Sequence, residues 1–206
     1  MNNIIDRNNI IHKFKNGIIN EPVILELGCG NRKRIKKSVG IDAINYDSVD
    51  LVGDIYDVLR QLPNHIASEV HSSHFFEHID DIGLLMSEIE RIMTKGGILH
   101  TTVPHFSNSY YYSDYTHKTF YGLYTFCYFS NNAFFKRKVP QYSMPKYELL
   151  SVELVFKSPP PFYFRHGIRR IIGFIINSSR YMKEYYEENL CRVISCYEIK
   201  YIMRKL

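Results

Sequence analysis

The sequence predicts an α/β fold built on a mostly parallel sheet flanked by helices. Three observations carry that prediction. Val23-Ile24-Leu25-Glu26-Leu27 is a short, branched apolar run that leads into Gly28-Cys29-Gly30, the pattern of a buried strand entering a glycine turn. Two further short strands follow, Ser38–Asp42 and Asp50–Ile55, each with an acidic or glycine exit. Strands then recur with short crossovers around a helical stretch, as in a parallel sheet.

Each element has its own signal. Residues 1–21 place isoleucines and Phe14 at roughly helical spacing, with Gly17 near the end, and predict an amphipathic N-terminal helix. Only eight residues separate Gly30 from Val39, whereas a parallel crossover usually takes about a dozen, so this connection is cut to a turn. It carries five basic residues between Arg32 and Lys37 and is read as a solvated loop. A short helix from Tyr56 to Gln61 stops at Pro63. A fourth strand covers 69–75, a helix runs from Asp80-Asp81 to about Thr94, and Lys95-Gly96-Gly97 is read as its stop. Residues 98–103 form a fifth strand and 147–156 a sixth. Two helical pieces, about 166–178 and 180–194, precede a closing strand over 197–203, for seven strands in all.

Residues 105–135 differ from the rest. They hold 13 of the 30 aromatic residues, together with His105, Asp114 and His117. This is expected to be a lid or substrate wall followed by a helix from about Lys118 to Phe129. Residues 158–195 are read as a helical insertion before the last strand, within a single domain over 1–206.

Composition narrows the class. The 206 residues are 45% hydrophobic and 23% charged, ordinary for a folded soluble domain. Cys29, Cys127, Cys191 and Cys196 form no Cys-x-x-Cys pair, so no structural metal site is expected and a reducing cytosol fits. No signal core is expected, and no apolar run approaches the roughly 18 residues of a membrane span. The net charge of +5 lies entirely in residues 163–206. There Arg165, Arg169, Arg170, Arg180 and Lys183 flank isoleucines and Phe174. The plain reading is a core-packing helix with a solvated basic face; the alternative is peripheral contact with an anionic membrane. No nucleic-acid recognition motif accompanies these charges.

The chemistry begins at the strand ends. Backbone N–H groups of Gly28-Cys29-Gly30 can hold a carboxylate or phosphate. Asp42 can accept two ribose hydroxyls. Asp54 can accept from an exocyclic amine while Ile55 packs on a purine. Glu26 can fix the glycine turn or accept from an ammonium group. A dinucleotide fingerprint would need a third glycine where Lys33 stands and a later acid than Asp42. A nucleoside with an amino-acid tail therefore fits better.

Glu26-Leu27-Gly28-Cys29-Gly30, Gly40-Ile41-Asp42, Gly53-Asp54-Ile55, Phe76-Glu77-His78 and Lys95-Gly96-Gly97, in this order, resemble the successive motifs of class I S-adenosylmethionine-dependent methyltransferases over about 22–156. Pro104-His105-Phe106, Ser113-Asp114-Tyr115-Thr116-His117 and Phe120-Tyr121-Gly122 further resemble small methyltransferases found with bacterial surface-glycan biosynthesis enzymes, which often show Asp-Pro-Thr-His where this chain has Asp-Tyr-Thr-His. The resemblance implies a Rossmann-like fold and S-adenosylmethionine as cofactor. Gly28 and Gly30 would hold its methionine part, Asp42 the ribose, Asp54 and Ile55 the adenine, and Ser73 or His74 the methionine side. The segment after Gly30 departs from the family in lacking a third glycine and a long first helix.

Methyl transfer to a hydroxyl needs a base or a metal. His78, His105, Asp114 and His117 are the available groups. His117 or His105 is expected as base with Asp114 orienting one of them; otherwise these residues tie down the aromatic loop. A metal held by His105, Asp114 and His117 is a weaker alternative. The expected acceptor is a small molecule or a glycan. Phenolic, quinone-precursor and nucleic-acid acceptors, or a binding module without turnover, are the alternatives.

Overall fold

The computed structural model describes residues 4–131 and 133–206. Its sheet has eight strands: β1 (Ile5–Asp6), β2 (Val23–Leu27), β3 (Val39–Asp42), β4 (Leu51–Val52), β5 (Ala67–Ser73), β6 (Met93–Pro104), β7 (Tyr147–Val155) and β8 (Glu198–Lys205). Their order is β1-β4-β3-β2-β5-β6-β8-β7. The β2–β3, β2–β5 and β3–β4 pairs are parallel, and β1 lies antiparallel to β4. The helices are α1 (Ile10–Lys15), α2 (Ile55–Gln61), α3 (Ile82–Ile92), α4 (Tyr163–Ile176) and α5 (Arg180–Asn189). The chain divides into two compact units, one over Met1–Phe76, Asp81–Thr101 and Arg204–Leu206, the other over Glu77–Asp80 and Thr102–Met203. Among the described residues no helix is long and apolar enough to cross a membrane.

In the first unit, β2 pairs with β5 from Val23 opposite Ala67 to Leu27 opposite Ser72, with a register shift after Val23, and Leu25, Leu27 and Val70 are completely buried. Helices α2 and α3 pack together, with Val58, Leu59, Leu85 and Ile89 fully buried. Asp54 caps α2 by accepting from the Tyr56 and Asp57 N–H groups, and Asp81 caps α3 through Leu84 N–H, each satisfying donors that a helix start leaves open. Arg91 donates to the Leu59 and Leu62 carbonyls at the end of α2. Lys205, almost fully buried, donates to the Glu90 and Met93 carbonyls at the end of α3 and pairs with the Glu90 carboxylate at 3.2 Å. Both cations meet carbonyls at the negative end of a helix.

In the second unit, the core is built from β7, β8, α5 and the aromatic segment. Tyr121, Phe126, Phe135, Tyr147, Tyr186 and Tyr201 are all essentially inaccessible. Asn177 caps α4 and also exchanges both side-chain hydrogen bonds with the Leu154 backbone on β7.

Four expectations need correcting. The N-terminal helix over 1–21 shrinks to α1, preceded by strand β1. Asn8 and Asn9 adopt left-handed backbone (φ 64° and 54°), and the Asp6 carboxylate caps α1 through Ile10 and Ile11 N–H. That short edge strand makes the sheet eight-stranded rather than seven. The helix over 118–129 is replaced by extended chain and a 3-10 turn at Thr125–Phe129. Lys118 and Thr119 N–H donate to the Glu77 carbonyl, and Phe106 N–H to the Tyr121 carbonyl, which holds the backbone straight. Lys95-Gly96-Gly97 lies inside β6 and does not end α3, which stops at Ile92, with Met93 already extended.

Candidate functional site

The first cluster lies at the C-terminal ends of β2, β3, β4 and β5, where open α/β sheets bind ligands. β2 leads into Gly28, whose φ of +64° favours a residue without a side chain. A Cβ there would come within 2.6 Å of the Phe75 ring. Gly30 is also left-handed, with open space where its Cβ would be. Gly28 and Cys29 N–H both donate to the Ile41 carbonyl on β3. Gly30 N–H donates to the Asp42 carboxylate at 2.8 Å, and Ile44 N–H to its other oxygen at 2.9 Å. The turn's donors are therefore spent within the chain. Each Asp42 oxygen keeps accepting capacity for a second donor.

Glu26 settles the question of the short crossover. It is buried, and its carboxylate accepts from Arg34 N–H, Ile35 N–H and the Ser38 hydroxyl. One carboxylate thus organises the loop that stands where a helix would begin. Within the basic run, Lys33 folds inward and pairs with Asp50 at 2.7 Å, also donating to the Ser38 carbonyl. Its stem and the Cys29 sulfur lie against Gly40, where a Cβ would sit 2.7 Å from Sγ. Burial, and then the carboxylates of Asp42, Glu26 and Asp50, push the Cys29 thiol up to about 12, so it stays protonated and is no nucleophile. All four cysteines are buried and unbridged.

Asp54 stands exposed at the start of α2, with one carboxylate oxygen engaged in capping. Ile55 turns into the core and offers a ring little surface. At the end of β5, the Ser73 hydroxyl is buried with no hydrogen-bond partner among the described residues. His74 beside it is exposed and left-handed, with φ 54°. An orphaned buried hydroxyl is costly, and a left-handed non-glycine residue at a strand end marks stored strain. Both fit a site completed by a polar ligand.

The second cluster belongs to the second unit. His117 Nδ1 lies 2.9 Å from the Tyr111 carbonyl, so that nitrogen carries the proton and Nε2 keeps the lone pair. The Asp114 carboxylate stands 3.6 Å from Nε2. Asp114 also accepts from the Thr116 hydroxyl at 2.6 Å and from Thr116 N–H, and these bonds, the hydroxyl first, hold its carboxyl below the usual range. Since Thr116 spends its proton on Asp114, its oxygen accepts from His78 Nδ1 at 2.9 Å, and His78 Nε2 is likewise left bare. Glu77, His78 and His117 bring one ligand atom each within 4.8 Å of one another, a carboxylate and two imidazoles of the kind divalent cations take. Glu77 and the Tyr111 carbonyl were not singled out from sequence. Glu77 stood in the motif that contributed His78, and its burial was the missing signal.

His105 is placed differently. It is fully buried. Its Nδ1 accepts from Ser107 N–H, and its Nε2 donates to Glu187 at 2.9 Å. Both nitrogens are occupied, so His105 fixes the aromatic segment to α5 and does not join His78, Asp114 and His117. The metal set of His105, Asp114 and His117 is accordingly not assembled; Glu77 and His78 take its place around His117. Glu187 also accepts from Leu123 N–H, and Glu184 accepts from the Tyr124 hydroxyl and Arg137 N–H. Tyr112, Tyr115 and Phe120 project from the segment into solvent.

The sequence matches no family model and no curated relative. Solved structures do match. A SAM-dependent methyltransferase from Archaeoglobus fulgidus superposes with a TM-score of 0.55 at 18% identity, over 97% of this chain and 95% of that one. A 16S rRNA (adenine(1408)-N(1))-methyltransferase variant from Catenulisporales acidiphilia, with cosubstrate SAM, gives 0.51 at 10% identity, over 95% and 91%. A phosphoethanolamine N-methyltransferase from Haemonchus contortus, in complex with S-adenosyl-L-methionine, gives 0.51 at 14%, over 96% of this chain and 52% of that one. The fold of this chain is the Rossmann-like α/β fold of the class I methyltransferases.

Proposed function

We propose that this chain is an S-adenosylmethionine-dependent methyltransferase acting on a carbohydrate-type or other small hydroxylated acceptor. The observation that carries the reading is the placement of Gly28, Asp42, Asp54 and the orphaned Ser73 hydroxyl at the C-terminal ends of β2, β3, β4 and β5. When bound, S-adenosylmethionine supplies a methyl group on a positively charged sulfur. Asp42 would hold ribose hydroxyls through its remaining lone pairs, Asp54 an amine, and Ser73 Oγ a polar atom of the methionine portion.

The residues of the second cluster supply the proton chemistry. His117 is held in one tautomer by the Tyr111 carbonyl. Its Nε2 would take the proton of an acceptor hydroxyl, and Asp114 would offset the positive charge that forms on the ring. Thr116 keeps Asp114 ionised and fixes His78. The exposed Tyr112, Tyr115 and Phe120 rings suit the apolar faces of sugar rings. A second reading rests on the same atoms: a divalent cation on Glu77, His78 and His117 would acidify the hydroxyl instead.

Calorimetric titration with S-adenosylmethionine and S-adenosylhomocysteine tests the cofactor. Wild type is expected to bind at micromolar concentration, and Asp42→Asn to lose at least tenfold. A folded wild type that binds neither compound overturns the reading. Methyl transfer to nucleotide sugars and lipid-linked glycans then tests the acceptor. His117→Ala should retain cofactor binding and lose turnover, and full turnover would remove the base. Inactivation by a chelator, reversed by a divalent cation, would favour the second reading.

A further inference from the structure

We propose that α4 is a membrane-surface helix that docks the chain on anionic lipid. The plain sequence reading buried the apolar side of this helix in the core. The structure turns it outward. Only Gly173 and Ile176 of α4 are buried. Gly173 lets the helix lie close on Phe156, where a Cβ would come to 3.3 Å. The apolar residues face away: Phe164 is 85% exposed, Phe174 82% and Ile171 64%, with Ile168 and Ile175 also exposed. At about 100° per residue these five share a stripe of roughly 120° of the helix surface. A monomer seldom leaves so many large apolar groups on one face.

The charges say what covers that stripe. The helix holds Arg165, His166, Arg169 and Arg170 and no acidic residue. Arg165 and Arg170 are exposed and flank the stripe on opposite sides, whereas Arg169 is turned inward to the Lys157 carbonyl and the Ser195 hydroxyl. Phe162 and Tyr163 are exposed where the helix begins. An apolar stripe with cations on both borders and aromatics at its end matches a helix lying in the headgroup layer of an anionic bilayer. A neutral protein groove would leave the two guanidinium groups without counter-charges. The inference does not depend on the methyltransferase reading.

Co-sedimentation of the full chain with vesicles tests it, using phosphatidylcholine alone and phosphatidylcholine with 30% phosphatidylglycerol. Binding is expected to the anionic vesicles at low salt, weakening in 0.5 M salt. Arg165→Gln with Arg170→Gln should lower it roughly thirtyfold, at about fivefold per charge. Phe164→Ser with Phe174→Ser should lower it tenfold or more, and because both side chains are exposed the fold should survive, as circular dichroism would verify. No vesicle binding by folded wild type overturns the proposal, as does equal binding to neutral and anionic vesicles. Dimers that dissociate in the Phe164→Ser, Phe174→Ser variant, without vesicle binding, would assign the stripe to a second copy and also overturn it.

Discussion

The loop after Gly30 and the aromatic segment after Pro104 are both irregular, and both are held by buried or half-buried glutamates that accept backbone N–H groups. They differ in where the glutamate comes from. Glu26 lies on the strand that feeds its loop, eight residues from Arg34. Glu187 and Glu184 reach the aromatic segment from α5, 64 residues from Leu123 and 60 from Tyr124. A locally pinned loop keeps its shape when the rest of the unit loosens. A remotely pinned one is ordered only once α5 has packed.

Removing the remote pin should have the largest effect. Glu187→Ala leaves the buried His105 Nε2–H and the Leu123 N–H without their acceptor, and each buried donor so orphaned costs about 1–3 kcal/mol. Urea unfolding should show that loss. A change below about 1 kcal/mol would mean that α5 does not hold the segment. Gly28→Ala comes next, at about 2–3 kcal/mol, since it combines a left-handed backbone with overlap on Phe75. Gly30→Ala has the strain without the overlap and should cost about 1–2 kcal/mol, so equal losses would contradict the packing around Gly28.

Ser73→Ala sharpens the comparison between stability and binding. It deletes a buried hydroxyl that has no partner among the described residues, so thermal stability should hold or rise, while affinity for S-adenosylhomocysteine falls about five- to tenfold. Lost stability with unchanged affinity would reverse the assignment of that hydroxyl. The smallest effect concerns pH. Asp114's carboxyl is held low by Thr116. Its ion's contribution to the 114–117 turn is therefore complete above the ordinary aspartate value of about 3.9 and is lost only as pH falls through the depressed folded value. The Thr116 amide resonance should stay unmoved down to about pH 4 and shift below it. A shift with its midpoint at about 3.9 or above would show that the carboxyl is not held low.

The same local–remote division explains what could be read from the chain. β2, β3, α2 and α3 were legible because their signals are adjacent residues: an apolar run before Gly28, an acidic exit at Asp42, Pro63 beyond α2, and Asp80-Asp81 at the start of α3. The glycine turn, Asp42 and Asp54 were legible as neighbours at adjoining strand ends for the same reason. Ile55 was not, because only packing shows which way it turns. Residues 118–129 have the apolar content of a helix, and what straightens them is the Glu77 carbonyl, some 40 residues upstream. His105 looked like a base until Glu187, 82 residues away, occupied its second nitrogen. For α4, composition showed an apolar and a basic face, but the direction of each depends on the contact between Gly173 and Phe156.

Lys205 extends this to the order of events during synthesis. The carbonyls it takes, on Glu90 and Met93, lie 115 and 112 residues earlier. A ribosome releases α3 long before it makes the ammonium group that closes it. For that interval, at about 5–20 residues per second, the end of α3 is held by residues already made, with His65 and Ile66 N–H donating to the Arg91 and Ile92 carbonyls, and the Lys205 ammonium group joins a helix end that is already partly closed.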